Sequence, residues 1–202
     1  MLNLSVSLRG YRLVKGIGYC NVVNPGAGEL EIILNDIERA LAARLWYAAL
    51  TVTLSLPDIC SLLERPEDER WSKREKYAAW FNEHVAKLHY PEFTGDDCYS
   101  LRGGVVHHGQ FGHAKSRYDR VAFSLPDGRG SVFDRMMSTD CGSFKGTTLS
   151  LDLALFCQRL IEAVRTWYRD NADDPNVVAN LPNLVRYRDV MEGHSNGIPM
   201  IA

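Results

Sequence analysis

The chain has 202 residues, with 23 Lys and Arg against 25 Asp and Glu and a 46% hydrophobic content. That apolar content excludes a disordered or collagen-like chain, and the length fits one domain able to bury roughly 70% of its unfolded surface. A formal charge of −2 excludes a protein whose whole surface clamps nucleic acid by releasing counterions, while leaving room for a local basic patch.

Residues 1–27 read as an extended arm closed by Asn24-Pro25-Gly26 and Gly28. The first residues alternate apolar and polar, with neither a basic start nor an apolar core, so no signal peptide is expected. From Glu29 the texture changes. Leu30, Ile33, Leu34, Ile37, Leu41, Leu45 and Ala48 recur at helical spacing, which predicts a long helix to about Leu54. The apolar run Leu45 to Leu56 falls short of the roughly 20 residues a bilayer requires and predicts a buried helix with no membrane span. Leu56-Pro57-Asp58 suits the first turn of a short second helix, where proline is tolerated and Asp58 favours the positive end of the dipole.

The stretch Arg65 to Lys76 mixes charges of both signs and reads as a solvated connection. Within it, Ser72-Lys-Arg-Glu75 has capping-box spacing and predicts a third helix from Ser72 through Tyr77, Trp80, Phe81, Val85 and Leu88. Pro91 and Gly95 should end it, and Asp96 or Asp97 should cap a fourth helix beginning at Cys98. After Gly112, Arg120 to Leu125, the turn Pro126 to Gly130 and Ser131 to Phe133 predict a β-hairpin. A last helix is expected from about Ser150 to Asn171, followed by an irregular tail.

The expected fold is mainly α: a bundle of four to five helices with a small hairpin inserted before the last long helix. One domain would span residues 1–172, with an insertion at 113–148 and the tail at 173–202. The five cysteines are odd in number and scattered, with no Cys-x-x-Cys pair. That argues against a zinc site or a disulfide framework and fits a cytoplasmic protein.

Chemistry concentrates in Asp97-Cys-Tyr-Ser-Leu-Arg102-Gly-Gly-Val-Val-His107-His108-Gly-Gln110. Two glycines inside a helix cost about 1 kcal/mol each relative to alanine, so something should compensate. At 100° per residue Cys98, Leu101 and Val105 form a core stripe, while Tyr99, Gly103, Val106 and His107 share a second face; Arg102 then lies roughly 140° from His107. Small Gly103 on that face would admit another helix or a phosphate backbone.

An arginine, four intervening residues and a histidine near the end of a helix in a small α-helical bundle resemble the motif of the HEPN superfamily. Leu101-Arg102-Gly-Gly-Val-Val-His107-His108-Gly109 carries that resemblance, which extends at the level of helix order over roughly Glu29 to Asn171. In that family the motif helices of two subunits usually meet across a dimer interface, and active members cleave RNA without a metal. The resemblance therefore implies a homodimer in which Arg102 and His107 of both copies form a composite endoribonuclease site, with RNA as substrate and no cofactor. A setting in phage defence or a toxin–antitoxin system, with an antitoxin or regulatory protein as partner, follows from the same resemblance. Many active members carry a polar residue after the arginine, where this chain has Gly103. The family also tolerates a longer spacing, which leaves His108 as an alternative histidine.

The residue types suit that chemistry. A histidine near its ordinary pKa moves protons at neutral pH, and an arginine offers a fork of donors to phosphate. Tyr99 either orients a phosphate or packs. Adjacent histidines diverge by about 100° on a helix, and no acid joins His107, His108 and His113 at ligand spacing, so no metal is expected. From Arg102 to Arg129 there are five Lys and Arg against two Asp, with three His added. Within that run Lys115, Arg117 and Arg120 are candidates to hold an RNA backbone. The alternative class is a non-catalytic nucleotide-binding or dimerisation module using the same arginine.

Overall fold

In the computed structural model, the described residues are 28–66, 73–111, 117–126, 134–140, 143, 145–185, 187–188 and 200–201. The proposed N-terminal arm at 1–27, Ser72 of the proposed capping box, and His113 and Lys115 lie outside them.

Helix α1 (Glu29–Ala42) buries Leu30, Leu34 and Ile37 as its spacing requires. It stops well before Leu54. Arg44 takes a left-handed backbone conformation at φ 58°, and the chain restarts as α2 (Trp46–Thr53). The apolar periodicity runs straight through this break, because it records which residues face the core and not whether the axis is continuous. Helix α3 (Leu56–Leu63) follows with Pro57 in its first turn. Together Trp46–Leu63 reach a mean hydropathy of 1.3 over 18 residues, yet half of that stretch is buried inside the fold. The ends of α2 and α3 meet at Leu54–Ser55.

Helix α4 (Arg74–Phe81) continues through a wide π-turn (Asn82–Ala86) and a last α-turn (Lys87–His89). Helix α5 (Gly95–Gly103) continues through a second π-turn (Gly104–His108). Its N-cap is Thr94, so the start lies earlier than the Asp96 or Asp97 caps expected from sequence. Gly95 opens this helix; it does not merely terminate the one before.

The sheet departs from the expected hairpin. Strand β3 (Thr147–Asp152) is central: β1 (Arg120–Ser124) pairs with it in parallel, with Val121 opposite Leu149, and β2 (Met136–Thr139) pairs with it antiparallel. Residues 131–133, the expected second strand, lie outside the described residues. The last helix, expected from about Ser150, gives way to β3 as far as Asp152. Leu149 and Leu151 instead point into the core on one face of a strand. Helix α6 (Leu153–Asn171) starts when the Asp152 carboxylate accepts the Leu155 N–H at 2.7 Å. Part of the expected irregular tail is regular: α7 (Pro175–Asn180), capped by Asp174, and the short pair β4 (Tyr187–Arg188) with β5 (Met200–Ile201).

The protein is thus mainly helical with a small three-stranded sheet. Helix α6 packs against α1, α2, α3 and the π-turn that continues α4, contributing Phe156, Leu160, Val164 and Trp167 to the core, while α5 packs against α4. Arg165 of α6 pairs with Glu38 at 2.9 Å and with Glu31 on α1. Asn180 of α7 donates to the carbonyls of Leu63 and Arg65, closing α7 onto the end of α3.

Candidate functional site

Helix α5 is fixed at its start by a reciprocal cap. Thr94 Oγ1 accepts from the Asp97 N–H, and the Asp97 carboxylate accepts from the Thr94 N–H at 3.0 Å. The Gly95 N–H donates to the side-chain oxygen of Asn82 at 2.7 Å. At this crossing a Cβ on Gly95 would lie 2.2 Å from the Ala78 carbonyl oxygen, so only glycine lets α4 and α5 approach so closely. Beneath them Cys98 is fully buried beside the Tyr77 hydroxyl. Burial pushes its thiol up to about 12, which keeps it protonated and removes it as a nucleophile at neutral pH.

The second half of the helix carries the motif. The π-turn closes with the Gly109 N–H on the Gly104 carbonyl, and the Tyr47 hydroxyl donates to the Val105 carbonyl at 2.8 Å. Gly109 ends it in the left-handed conformation at φ 63°. A turn closed i→i+5 places residues five apart where an α-turn places residues four apart. Arg102 precedes the π-turn and His107 lies within it, so the smaller rotation per residue there reduces the roughly 140° that separates them on an ideal α-helix. Tyr99, Arg102, Gly103, Val106 and His107 share the outer face, while Cys98, Leu101 and Val105 face the core. Among the described residues, a Cβ on Gly103 would meet nothing within 4 Å.

Arg102 is held from another helix. Its Nε lies 2.8 Å from Asp58 Oδ2 on α3, with the arginine side chain 25% and the aspartate 14% exposed. The contact is an ion pair set off the hydrogen-bonding axis of both atoms. The guanidinium also lies 5.8 Å from the centre of the Tyr99 ring. A second guanidinium, Arg74, lies 5.9 Å from the same ring and pairs with Asp96 at 2.7 Å. Tyr99 thus packs against Tyr77 and two arginines. Neither Asp96 nor Asp97 orients Arg102; Asp58 does. In the sequence Asp58 stands out only as a residue at the positive end of a helix dipole, and Arg74 and Tyr47 carry no signal that selects them.

His107 and His108 are both exposed, with ring centres 6.4 Å apart. Among the described residues neither has a hydrogen-bond or ion-pair partner. No three His, Cys, Asp or Glu side chains converge as metal ligands among those residues.

The basic stretch after the motif divides. Arg117 donates to the Asp97 carboxylate at 3.1 Å and to the Glu92 carbonyl, and its guanidinium stacks 5.2 Å from the Tyr118 ring centre. These contacts make it a latch onto the start of α5, made through Nη2 while the side chain stays half-exposed. Arg120 is exposed at the start of β1, beside a groove next to the π-turn. Compared with protein families, curated proteins and solved structures, the chain matches none.

Proposed function

We propose that this protein is a metal-independent endoribonuclease of HEPN type acting as a homodimer. The observation that supports the reading is the open outer face of α5, where Arg102 is oriented by Asp58, His107 is in solvent, and Gly103 leaves room for a second motif helix or a phosphate. Isologous pairing along this face would bring two copies of Arg102 and His107 together.

In the proposed reaction a neutral His107 imidazole removes the proton from an RNA 2′-hydroxyl. The 2′-oxygen attacks the adjacent phosphorus, the bond from phosphorus to the 5′-oxygen breaks, and that oxygen takes a proton from the protonated His107 of the second copy. The products carry a 2′,3′-cyclic phosphate and a 5′-hydroxyl. Such proton transfers contribute roughly 10²–10⁴-fold. With its Nε turned to Asp58, the Arg102 guanidinium retains its Nη donors for the charge that grows on phosphate in the transition state.

The test is to incubate purified protein with mixed RNA in EDTA and compare wild type with Arg102→Ala and His107→Ala. Loss of cleavage in both variants and a dimer in sedimentation support the enzyme. Equal background cleavage by all three sinks it, as does a monomer at micromolar concentration. Retention of a nucleotide by wild type without cleavage, lost in Arg102→Ala, would instead mark a phosphate-binding module, a reading favoured by the static ion pair that already holds Arg102.

A further inference from the structure

Beyond the π-turn the chain encloses a groove of about 780 Å³, within the range of sites that hold small organic groups. Its walls include Trp46 and Tyr47 from α2, Phe111 from the segment after the motif helix, and Phe123 and Arg120 from β1. Four aromatic rings on a mainly apolar groove offer flat surfaces to a flat ligand. Two of them are wet: Tyr47 is 55% and Phe111 39% exposed.

Both residues are anchored to neighbouring elements before any ligand arrives. The Tyr47 hydroxyl is tied to the Val105 carbonyl, and the backbone of Phe111 accepts the Val121 N–H at 3.0 Å, with its ring 6.0 Å from that of Phe123. A residue already anchored loses less entropy on stacking. The groove adjoins the motif directly, since Gly109 lines it and follows His108. Arg120 and Asp119 both line the groove, and the Asp119 carboxylate accepts the Thr147 N–H at 2.7 Å.

We infer that this groove receives one unpaired nucleobase of a single-stranded RNA, stacked on Tyr47 and Phe111, while the adjoining backbone crosses the Arg102 and His107 face. The inference rests on the proposed ribonuclease reading and adds a subsite for one base, recognised by ring stacking and not by a duplex shape. A fully paired strand keeps its bases inside the stack and has none to offer the groove.

The test uses full-length His107→Ala protein in EDTA at low salt. It compares a short labelled oligoadenylate with a strand of the same length and charge built from abasic nucleotides. The intact strand should bind at least about fivefold more tightly. Phe111→Leu, which keeps the apolar volume without the ring, should erase that difference and leave abasic affinity unchanged; Tyr47→Leu should do the same. Equal affinity for the two strands, or a preference that survives both ring substitutions, overturns the inference. Conversion of a dimer to a monomer by Phe111→Leu also overturns it, because a second copy would then occupy the groove. Cleavage by wild type with no base-dependent binding sinks the groove alone, and base-dependent binding by a protein that never cleaves RNA sinks the nuclease alone.

Discussion

Gly95 and Gly103 stand at the two ends of one helix and meet opposite surroundings. A methyl group on Gly95 would strike the backbone of Ala78, while one on Gly103 would meet nothing among the described residues. Both pay the conformational cost of glycine in a helix. At Gly95 the return is visible within the chain: α4 and α5 cross closely, Asn82 holds the Gly95 N–H, and Asp97 closes the cap. At Gly103 no contact among the described residues repays the cost, and the proposed return is contact with a molecule outside the chain. The difference separates the structural half of α5 from the half proposed to act.

The largest expected effect tests the closed end. Gly95→Ala should lower stability by about 3 kcal/mol, because the two backbones must separate. Urea denaturation measures it, and a loss below about 1 kcal/mol would mean that α4 moves aside freely. Next comes Asp97→Ala, expected to cost about 2 kcal/mol through the lost cap and the released Arg117 latch. Arg117→Ala should cost less, since its half-exposed guanidinium is screened by solvent. Equal losses in the two variants would show that the cap carries none of the effect.

The two halves of α5 also differ in how far the sequence disclosed them. The core stripe of Cys98, Leu101 and Val105 is legible, because apolar period is local, whereas the caps are not: Lys73 and Thr94 stand where Ser72 and Asp96 or Asp97 are expected. The break at Arg44 was not, since no glycine or proline marks a left-handed residue there. The parallel pairing of β1 with β3 was equally hidden, as register between distant strands is fixed by tertiary packing. At the site, the residue types and the outer face could be read from spacing. The π-turn that swings His107 toward Arg102 could not, because α-periodicity is assumed in the calculation itself. Asp58 was missed as the partner of Arg102 for a similar reason: long-range ion pairs leave no periodic trace in sequence.

The pairing of Asp58 with Arg102 gives the next test. Asp58→Asn should cost about 1 kcal/mol of stability. If Asp58 positions Arg102 for RNA, the cleavage rate should also fall roughly 10-fold. Asp96→Asn is the control, since Asp96 holds Arg74 on the other side of the same Tyr99 ring. A rate loss equal in both variants would assign the effect to general charge near Tyr99 and not to the orientation of Arg102.

The smallest change in stability carries the sharpest information about the open end. Gly103→Ala removes the glycine penalty, and no neighbouring atom among the described residues opposes the added methyl, so stability should rise by about 0.5–1 kcal/mol. The same methyl would stand between two motif helices, or between the helix and a phosphate, wherever either approaches at van der Waals distance. A more stable protein with weakened dimerisation or slower cleavage would therefore show that the glycine is kept for contact with another molecule. A more stable protein with undiminished dimerisation and cleavage would break the contrast with Gly95, leaving Gly103 as an uncompensated cost on an ordinary solvent-facing surface.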